Sequence, residues 1–259
     1  MADTIKPLDV ESAAAPSKRW RSVALTHVGK VRRLNEDAFF EAPLIGLWAV
    51  ADGVGGAKAG DRASGLIIEA LGGVSKPATA SGFLADVRDR LLAVNGALRQ
   101  EAAARDCDVI ASTVVALLFF AGYYACIWAG DSRLYCLREG NFRQINRDHS
   151  EVQELVDRGL LDPAEARGHR RGNVITRAVG ADETLALDVV HAPVMKDDVF
   201  LLCSDGLTKT LEDAEIADML KRPLASAVDD LMQAALDRGA PDNVTVVAVQ
   251  VLDPAAGDE

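Results

Sequence analysis

The chain lacks a Cys-x-x-Cys pair, a long apolar run and any excess of positive charge, and each lack excludes something. Its four cysteines, Cys107, Cys126, Cys136 and Cys203, stand in or beside apolar segments without metal-ligand spacing. They read as buried, reduced thiols of a cytoplasmic protein, in preference to zinc ligands or disulfides. The longest apolar stretch, Val114 to Phe120, falls far short of the roughly 20 residues that span a bilayer and suits a buried strand. Met1 to Ser17 is polar and rich in Ala and Pro, with no apolar h-region, so no signal peptide is expected. Acids outnumber bases 39 to 28, a formal net charge of −11. That balance argues against a nucleic acid or an anionic membrane as partner. It leaves room for bound cations. No linker, repeat or low-complexity break interrupts residues 19–252, so one domain is expected there. Residues 1–18 and the acidic 253–259 read as disordered tails.

What the chain does have is core. Of its 259 residues 49% are apolar, and their spacing changes along the sequence. Arg21 to His27, Ala38 to Phe40 and Leu47 to Ala51 read as strands, and Asp61 to Leu71 turns helical, with Asp61 and Arg62 capping and flanking its start. Leu84, Val87, Leu91, Val94 and Leu98 keep a stripe at helical spacing, which is core packing and no cofactor site. Ile110 to Phe120, Tyr123 to Ala129, Arg133 to Arg138 and Phe142 to Ile145 read as four strands of an antiparallel meander. A polar excursion to Gly172 carries short helices at Glu151 to Arg158 and Pro163 to Arg167. Strands return at Leu185 to Val190, Val199 to Cys203 and Val244 to Val251, with helices at Asp213 to Leu220 and Leu224 to Arg238 between the last two. Strands in runs and helices in pairs predict an α+β fold: two antiparallel sheets face to face, a helix pair outside each.

Acids sit where those strands end. The apolar run Leu47 to Ala51 stops on Asp52, and Gly53, Gly55 and Gly56 follow. Val199 to Cys203 leads into Ser204-Asp205-Gly206; Glu36-Asp37 precedes one strand and Asp242-Asn243 another. Glycines let main-chain groups approach whatever a carboxylate holds. Grouped carboxylates repel unless they are protonated or bridged by cations. A set of oxygens without histidine or thiolate favours Mg²⁺ or Mn²⁺ over zinc. Two such ions sharing a carboxylate are a standard means of activating water for phosphoryl hydrolysis, and a nearby arginine matches phosphate oxygens.

Six motifs make the pattern specific. Arg-x-x-Asn-Glu-Asp (Arg32 to Asp37), Ala-Asp-Gly-x-Gly-Gly (Ala51 to Gly56), Gly-Asp-Ser-Arg (Gly130 to Arg133), Arg-Asp-His-Ser (Arg147 to Ser150), Cys-Ser-Asp-Gly-Leu (Cys203 to Leu207) and Pro-Asp-Asn-Val-Thr (Pro241 to Thr245) occur in this order. Together they resemble the PP2C (PPM) family of metal-dependent protein serine/threonine phosphatases, in its compact bacterial form, over about Arg21 to Leu252. The resemblance implies a four-layer α-β-β-α sandwich with two Mn²⁺ or Mg²⁺ ions at one sheet edge. By position, Asp52 would bridge both ions and hold the attacking water, with the Gly53 carbonyl as a further ligand. Asp205 and Asp242 would hold the first ion, and Glu36 and Asp37 would serve the second, directly or through water. Asp131 would match a weaker third-ion site, Arg32 would bind the substrate phosphate, and residues 150–172 would form a flap.

One position departs from part of the family. Val54 stands where some members, chiefly eukaryotic ones, have a histidine that is a candidate general acid, so the proton donor is left open. His27, His149, His169 and His191 read as structural or surface residues. The implied protein is a cytoplasmic monomer acting on phosphorylated proteins, opposing a bacterial Ser/Thr kinase. Two alternatives keep the fold: the same chemistry on a phosphorylated anti-sigma-factor antagonist, or a binding scaffold without turnover. A phosphohydrolase using Asp52 as covalent nucleophile typically wants an acid two residues on, and Val54 fails that test.

Overall fold

The computed structural model describes residues 19–54, 59–106, 109–166, 169–172 and 174–253. The N-terminal tail, Gly55 and Gly56, Cys107 and residues 254–259 lie outside the described residues. In chain order the elements are β1 (Trp20–His27), β2 (Asp37–Ala42), β3 (Leu47–Val54), α1 (Gly60–Gly72), α2 (Ala80–Ala104), β4 (Ala111–Ser112) and β5 (Val114–Phe120). Then come β6 (Tyr123–Ala129), β7 (Arg133–Arg138), β8 (Asn141–Gln144), α3 (Glu151–Asp157), α4 (Pro163–Ala166), β9 (Asp188–Pro193) and β10 (Val199–Cys203). The chain closes with α5 (Asp205–Thr208), α6 (Asp213–Leu220), α7 (Leu224–Asp237) and β11 (Val244–Val251).

Two antiparallel sheets result. One runs β1-β11-β10-β7-β8; the other runs β2-β3-β5-β6-β9, with β4 paired to the end of β3. Side chains alternate across a strand, so each strand feeds two cores. In β3, Trp48 and Val50 join Phe119, Trp128, Phe200 and Val247 between the sheets. Leu47, Ala49 and Ala51 face the other way, against Ile67 and Leu71 of α1 and Leu91 and Leu98 of α2. The opposite sheet repeats the arrangement: Leu201, Val246 and Ala248 pack on Ile216 of α6 and on Val228 and Leu231 of α7. The outcome is the expected α-β-β-α sandwich, with an apolar layer at each of its three boundaries. Trp20, Trp48, Phe119, Phe200 and Tyr124 pack ring to ring inside it, with neighbouring centroids 5.0–5.8 Å apart. Such pairs add to what burial alone supplies.

Four readings need correction. The meander is two hairpins, because β6 pairs with β5 and β9 whereas β7 pairs with β8 and β10 in the other sheet. The segment Gly130–Ser132 therefore crosses from sheet to sheet. Gly130 has φ +114, and a Cβ there would lie 2.5 Å from the Thr113 Cβ, so the crossing requires glycine. Second, β3 does not stop at Ala51 but continues through Asp52 to Val54, held by β4. Third, the strand expected at Leu185 to Val190 lies three residues later; Leu185 and Leu187 instead pack against the core under α2. Fourth, Asp61 does not cap α1. The cap position is Ala59, with no side-chain hydrogen bond, and Asp61 stands in the first turn. Cys126, Cys136 and Cys203 are free and buried, as their apolar surroundings predict.

Candidate metal centre

Follow the inter-sheet face to one end and its chemistry changes. Alternation carries β3 from Trp48 and Val50 to Asp52. It carries β2 from Phe39 back to Asp37, β10 from Phe200 and Leu202 to Ser204, and β11 from Val249 and Val247 to Thr245. A core of aromatic and branched side chains thus ends in a polar cap whose members share the parity of the core residues behind them. That is why these acids are buried.

Asp37 is buried, at 8% exposure. Its Oδ2 accepts hydrogen bonds from Ser204 Oγ and Thr245 Oγ1, each at 2.7 Å, while its Oδ1 is buried without a hydrogen-bond partner. Burial pushes its carboxyl up to about 7 against the pull of those hydroxyls. Asp52 is pushed well above the usual carboxylate range, first by burial and then by Asp37, Asp205, Asp131 and Asp242. Its backbone is fixed on both sides: its N–H donates to Thr113 Oγ1 at 3.1 Å, and its carbonyl accepts from Thr113 N–H at 2.8 Å and Ser112 Oγ at 2.9 Å. Thr113 Oγ1 also lies 2.7 Å from Ser132 Oγ, which ties the sheet crossing to the end of β3. Asp131, on that crossing, is raised to about 7 by burial and then by Asp205.

Asp205 opens α5 directly after β10. Burial raises its carboxyl and Lys209 opposes the rise; Oδ1 is again buried and unpartnered. Lys209 Nζ lies 2.5 Å from Asp205 Oδ2 and 3.3 Å from Asp242 Oδ2. Asp242 also receives Arg32, whose Nε lies 2.9 Å from Oδ1 and whose Nη2 lies 3.1 Å from Oδ2. Arg32, expected on a phosphate, therefore rests on a carboxylate here. Asn243 locks the neighbouring loops: its side-chain amide donates to Val28 O and Leu34 O, and its oxygen accepts from Glu36 N–H. Glu36 lies against the first turn of α1, where burial raises its pKa and the Gly60 N–H opposes the rise.

These side chains surround a cavity of about 290 Å³, lined by Arg32, Glu36, Asp52, Asp131, Asp205 and Asp242 among others, with Gly53 and Val54 on its wall. Asp37 lies beneath it. Of the two acids in the first motif, Glu36 therefore lines the cavity, and Asp37 stands opposite Asp52 in the β2–β3 ladder. A second groove, about 690 Å³, shares Asp131, Asp205 and Lys209 and runs between α3 and the start of α6. Among the described residues no three acids close on one point as ligands of a single ion; they form a strip tied by Lys209 and Arg32. The donor set nevertheless suits divalent cations. Several buried carboxylates raise one another's pKa, and two of them carry an unpartnered oxygen.

Several residues at this site escaped sequence reading. Ser204 and Thr245 were legible in principle, since each shares parity with the inter-sheet core. Lys209 carried no such signal, because four residues after Asp205 it resembles an ordinary helix-surface pair. Thr113 was hidden inside what read as one long strand.

Comparison with known proteins follows the same lines. Residues 29–245 match the family Protein phosphatase 2C. The solved structure of "PppA, a key regulatory component of T6SS in Pseudomonas aeruginosa" is 44% identical, covers 90% of this chain and 98% of that one, and superposes with a TM-score of 0.84. The catalytic domain of the serine/threonine phosphatase PstP, solved in complex with 2 manganese ions, is 34% identical with a TM-score of 0.82, over 91% of this chain and 99% of that one. Serine/threonine protein phosphatase PstP of Mycobacterium tuberculosis is 37% identical over 238 residues, 90% of this chain. The chain spans about half of that relative's own length, 45%.

Proposed function

The chain belongs to the protein phosphatase 2C family, and on that footing we propose that it is a metal-dependent protein phosphatase hydrolysing phosphoserine and phosphothreonine. One observation carries the reading: burial-raised Asp37, Asp52, Asp131 and Asp205 gather at or beneath a single cavity with an arginine on its rim. Asp52, which lines the cavity, would be the carboxylate shared between two ions, with the Gly53 carbonyl as a further ligand. Asp205 and Asp242 would hold a first ion; Glu36 and Asp37 would serve the second, directly or through water. Asp131 would belong to a weaker third site. Two Mn²⁺ or Mg²⁺ ions there would neutralise the carboxylates, lower the pKa of a water and polarise the phosphoryl oxygens.

The chain's own groups do the rest. Arg32, half exposed at 51%, leaves Asp242 to present its planar fork to the phosphate. Thr113 and Ser112 hold the Asp52 backbone so that its carboxylate keeps one direction. The groove beside α3 receives the peptide around the phosphorylated residue, and residues 150–172 act as the flap over it. Val54 offers no proton, so the leaving oxygen is protonated from elsewhere. All the carboxylates and Arg32 are present, which favours turnover over a scaffold role.

The substrates are phosphorylated proteins in the cytoplasm, and the protein, a monomer, opposes a bacterial Ser/Thr kinase. The likeness to PppA, described as a key regulatory component of T6SS, supports a regulatory role. No helix among the described residues is long and apolar enough to cross a membrane. The deciding experiment is phosphate release from a phosphothreonine peptide with Mn²⁺, with excess EDTA, and with Asp52→Asn. Activity is expected only for the unmodified chain with Mn²⁺; full activity in EDTA would overturn the reading.

A further inference from the structure

Lys209 has no part in the roles above, yet it holds the acidic strip together. Its ammonium touches Asp205, four residues back, and Asp242, 33 residues on. An i,i+4 pair on a helix surface joins two solvated groups of one turn. This contact differs on three counts. It links two separate chain segments. Its three side chains are only 29%, 16% and 22% exposed. And the Asp205 carboxylate it neutralises keeps a second oxygen buried with no hydrogen-bond partner. The same lysine lines both the cavity and the wider groove, so its four-carbon stem has somewhere else to go.

We propose that Lys209 is a tethered counter-ion of the metal centre, which a divalent ion must displace from Asp205 and Asp242 in order to bind. This rests on reading the strip as a metal centre. The exchange breaks no covalent bond. The ammonium keeps its proton, gives up its two carboxylate contacts and turns into the groove, and the ion takes those carboxylates. Two consequences follow. Lys209 sets how much free metal the centre needs, because an ion sees only the fraction of molecules whose carboxylates are released. It also keeps Asp205 and Asp242 from repelling one another when metal is scarce. The result is a centre that survives without metal and fills only above a threshold.

The test uses the full chain stripped with EDTA and dialysed, titrated calorimetrically with MnCl₂. Lys209→Met keeps the length of the stem and removes its charge; Lys209→Arg keeps the charge. If about nine-tenths of molecules hold the lysine contact, K209M should bind its tightest Mn²⁺ about tenfold more tightly, and K209R should not. In EDTA, K209M should melt below the unmodified chain, and Mn²⁺ should close that gap. Equal or weaker Mn²⁺ binding by K209M overturns the proposal. Should K209M not stay folded in EDTA, the unmodified chain decides by lysine ammonium NMR. The Lys209 signal, identified by its loss in K209R, should shift as Mg²⁺ saturates the site; a signal unmoved at saturation overturns the proposal. Absence of any Mn²⁺ binding by the unmodified chain would overturn the metal reading itself, whereas normal binding with no gain in K209M sinks this inference alone.

Discussion

Asp37 and Asp52 stand directly opposite one another in the β2–β3 ladder, two carboxylates on one face of an antiparallel pair. Like charges in that position destabilise a sheet. The structure softens the conflict locally, with two hydroxyls on Asp37 and a fixed backbone at Asp52, but burial still raises both carboxyls. The ladder is built for a function that stability alone would not select. A cation between its acids would turn their repulsion into attraction.

Metal should therefore stabilise the fold. With Mn²⁺ at about 100 times Kd, one site contributes roughly 2.7 kcal/mol, and at about 2–4 °C per kcal/mol for a domain of this size Tm should rise roughly 5–11 °C. Differential scanning calorimetry in EDTA and in Mn²⁺ checks this. Mn²⁺ or Mg²⁺ should restore hydrolysis of a phosphothreonine peptide after chelation, and Ca²⁺, which favours more ligands at longer distances, should not. An unchanged Tm would count against any bound cation.

The hydroxyls on Asp37 make a second prediction. Asn35 Nδ2 donates to Thr26 Oγ1, Thr26 and Thr245 lie 2.7 Å apart, and Thr245 donates to Asp37. Thr245→Val keeps the shape and deletes the donor at the end of this chain. It should cost about 1–3 kcal/mol in urea denaturation. A neutral outcome would mean that Asp37 is protonated and finds another partner.

Arg32 and Arg33 are neighbours with different surroundings. Arg32 reaches Asp242 on the cavity rim, whereas Arg33 is exposed to solvent. Arg32→Ala should chiefly raise KM, with a smaller fall in kcat, because its charge meets the phosphate in both ground and transition states. Arg33→Ala should do much less. Equal losses in steady-state assays would place the phosphate elsewhere.

Much of this arrangement was legible. The strand-end acids Asp52 and Asp205 announced themselves, because an apolar run that stops on Asp-Gly has few structural reasons to do so. The helix stripe from Val87 to Leu98 was equally plain. The sheet crossing at Gly130 was not. β6 and β7 both alternate with period 2, and that period is the same whether the next strand stays in the sheet or joins the facing one. Only the φ of Gly130 and the Thr113 contact tell them apart, and neither is a property of the local sequence. Lys209 was hidden for a related reason: its second partner, Asp242, comes from a distant loop.

Asp131 separates a turn residue from a ligand. Were it only part of the crossing, Asp131→Ala would cost stability and leave kinetics intact. As a ligand of a weaker third ion it should fold, still bind two ions, and lose most turnover of a phosphopeptide. An aryl phosphate, whose leaving group barely needs a proton, should suffer less. Rates for both substrates across a Mn²⁺ titration decide it, and small equal losses on both would favour the turn residue.

His149 gives the fold a dependence on pH that runs opposite to that of the buried acids. It is 7% exposed, stacks on Trp128 with centroids 5.7 Å apart, and pairs through its backbone with Gly130 and Thr176. Its Nδ1 accepts the Gly130 N–H at 3.2 Å, so the neutral ring carries its proton on Nε2, 3.1 Å from Asp188 Oδ2. Arg177 Nη1 lies 3.3 Å from the same nitrogen. A second proton would have to sit on Nδ1, against the Gly130 amide. Burial, and then Arg177, lower the His149 pKa, while Asp188 opposes them without reversing the sign. Below about pH 6.5 the unfolded chain therefore binds a proton that the folded chain refuses, and stability falls as pH falls. Asp37 and Asp131, raised by burial, act in the opposite sense, so the slope of the unmodified chain mixes these contributions. The comparison with His149→Gln isolates one of them. Urea denaturation of both between pH 5 and 7 should show the variant losing less stability on acidification, by at most about 1.4 kcal/mol per pH unit. Parallel slopes would mean that His149 titrates in the folded protein as it does in the unfolded one.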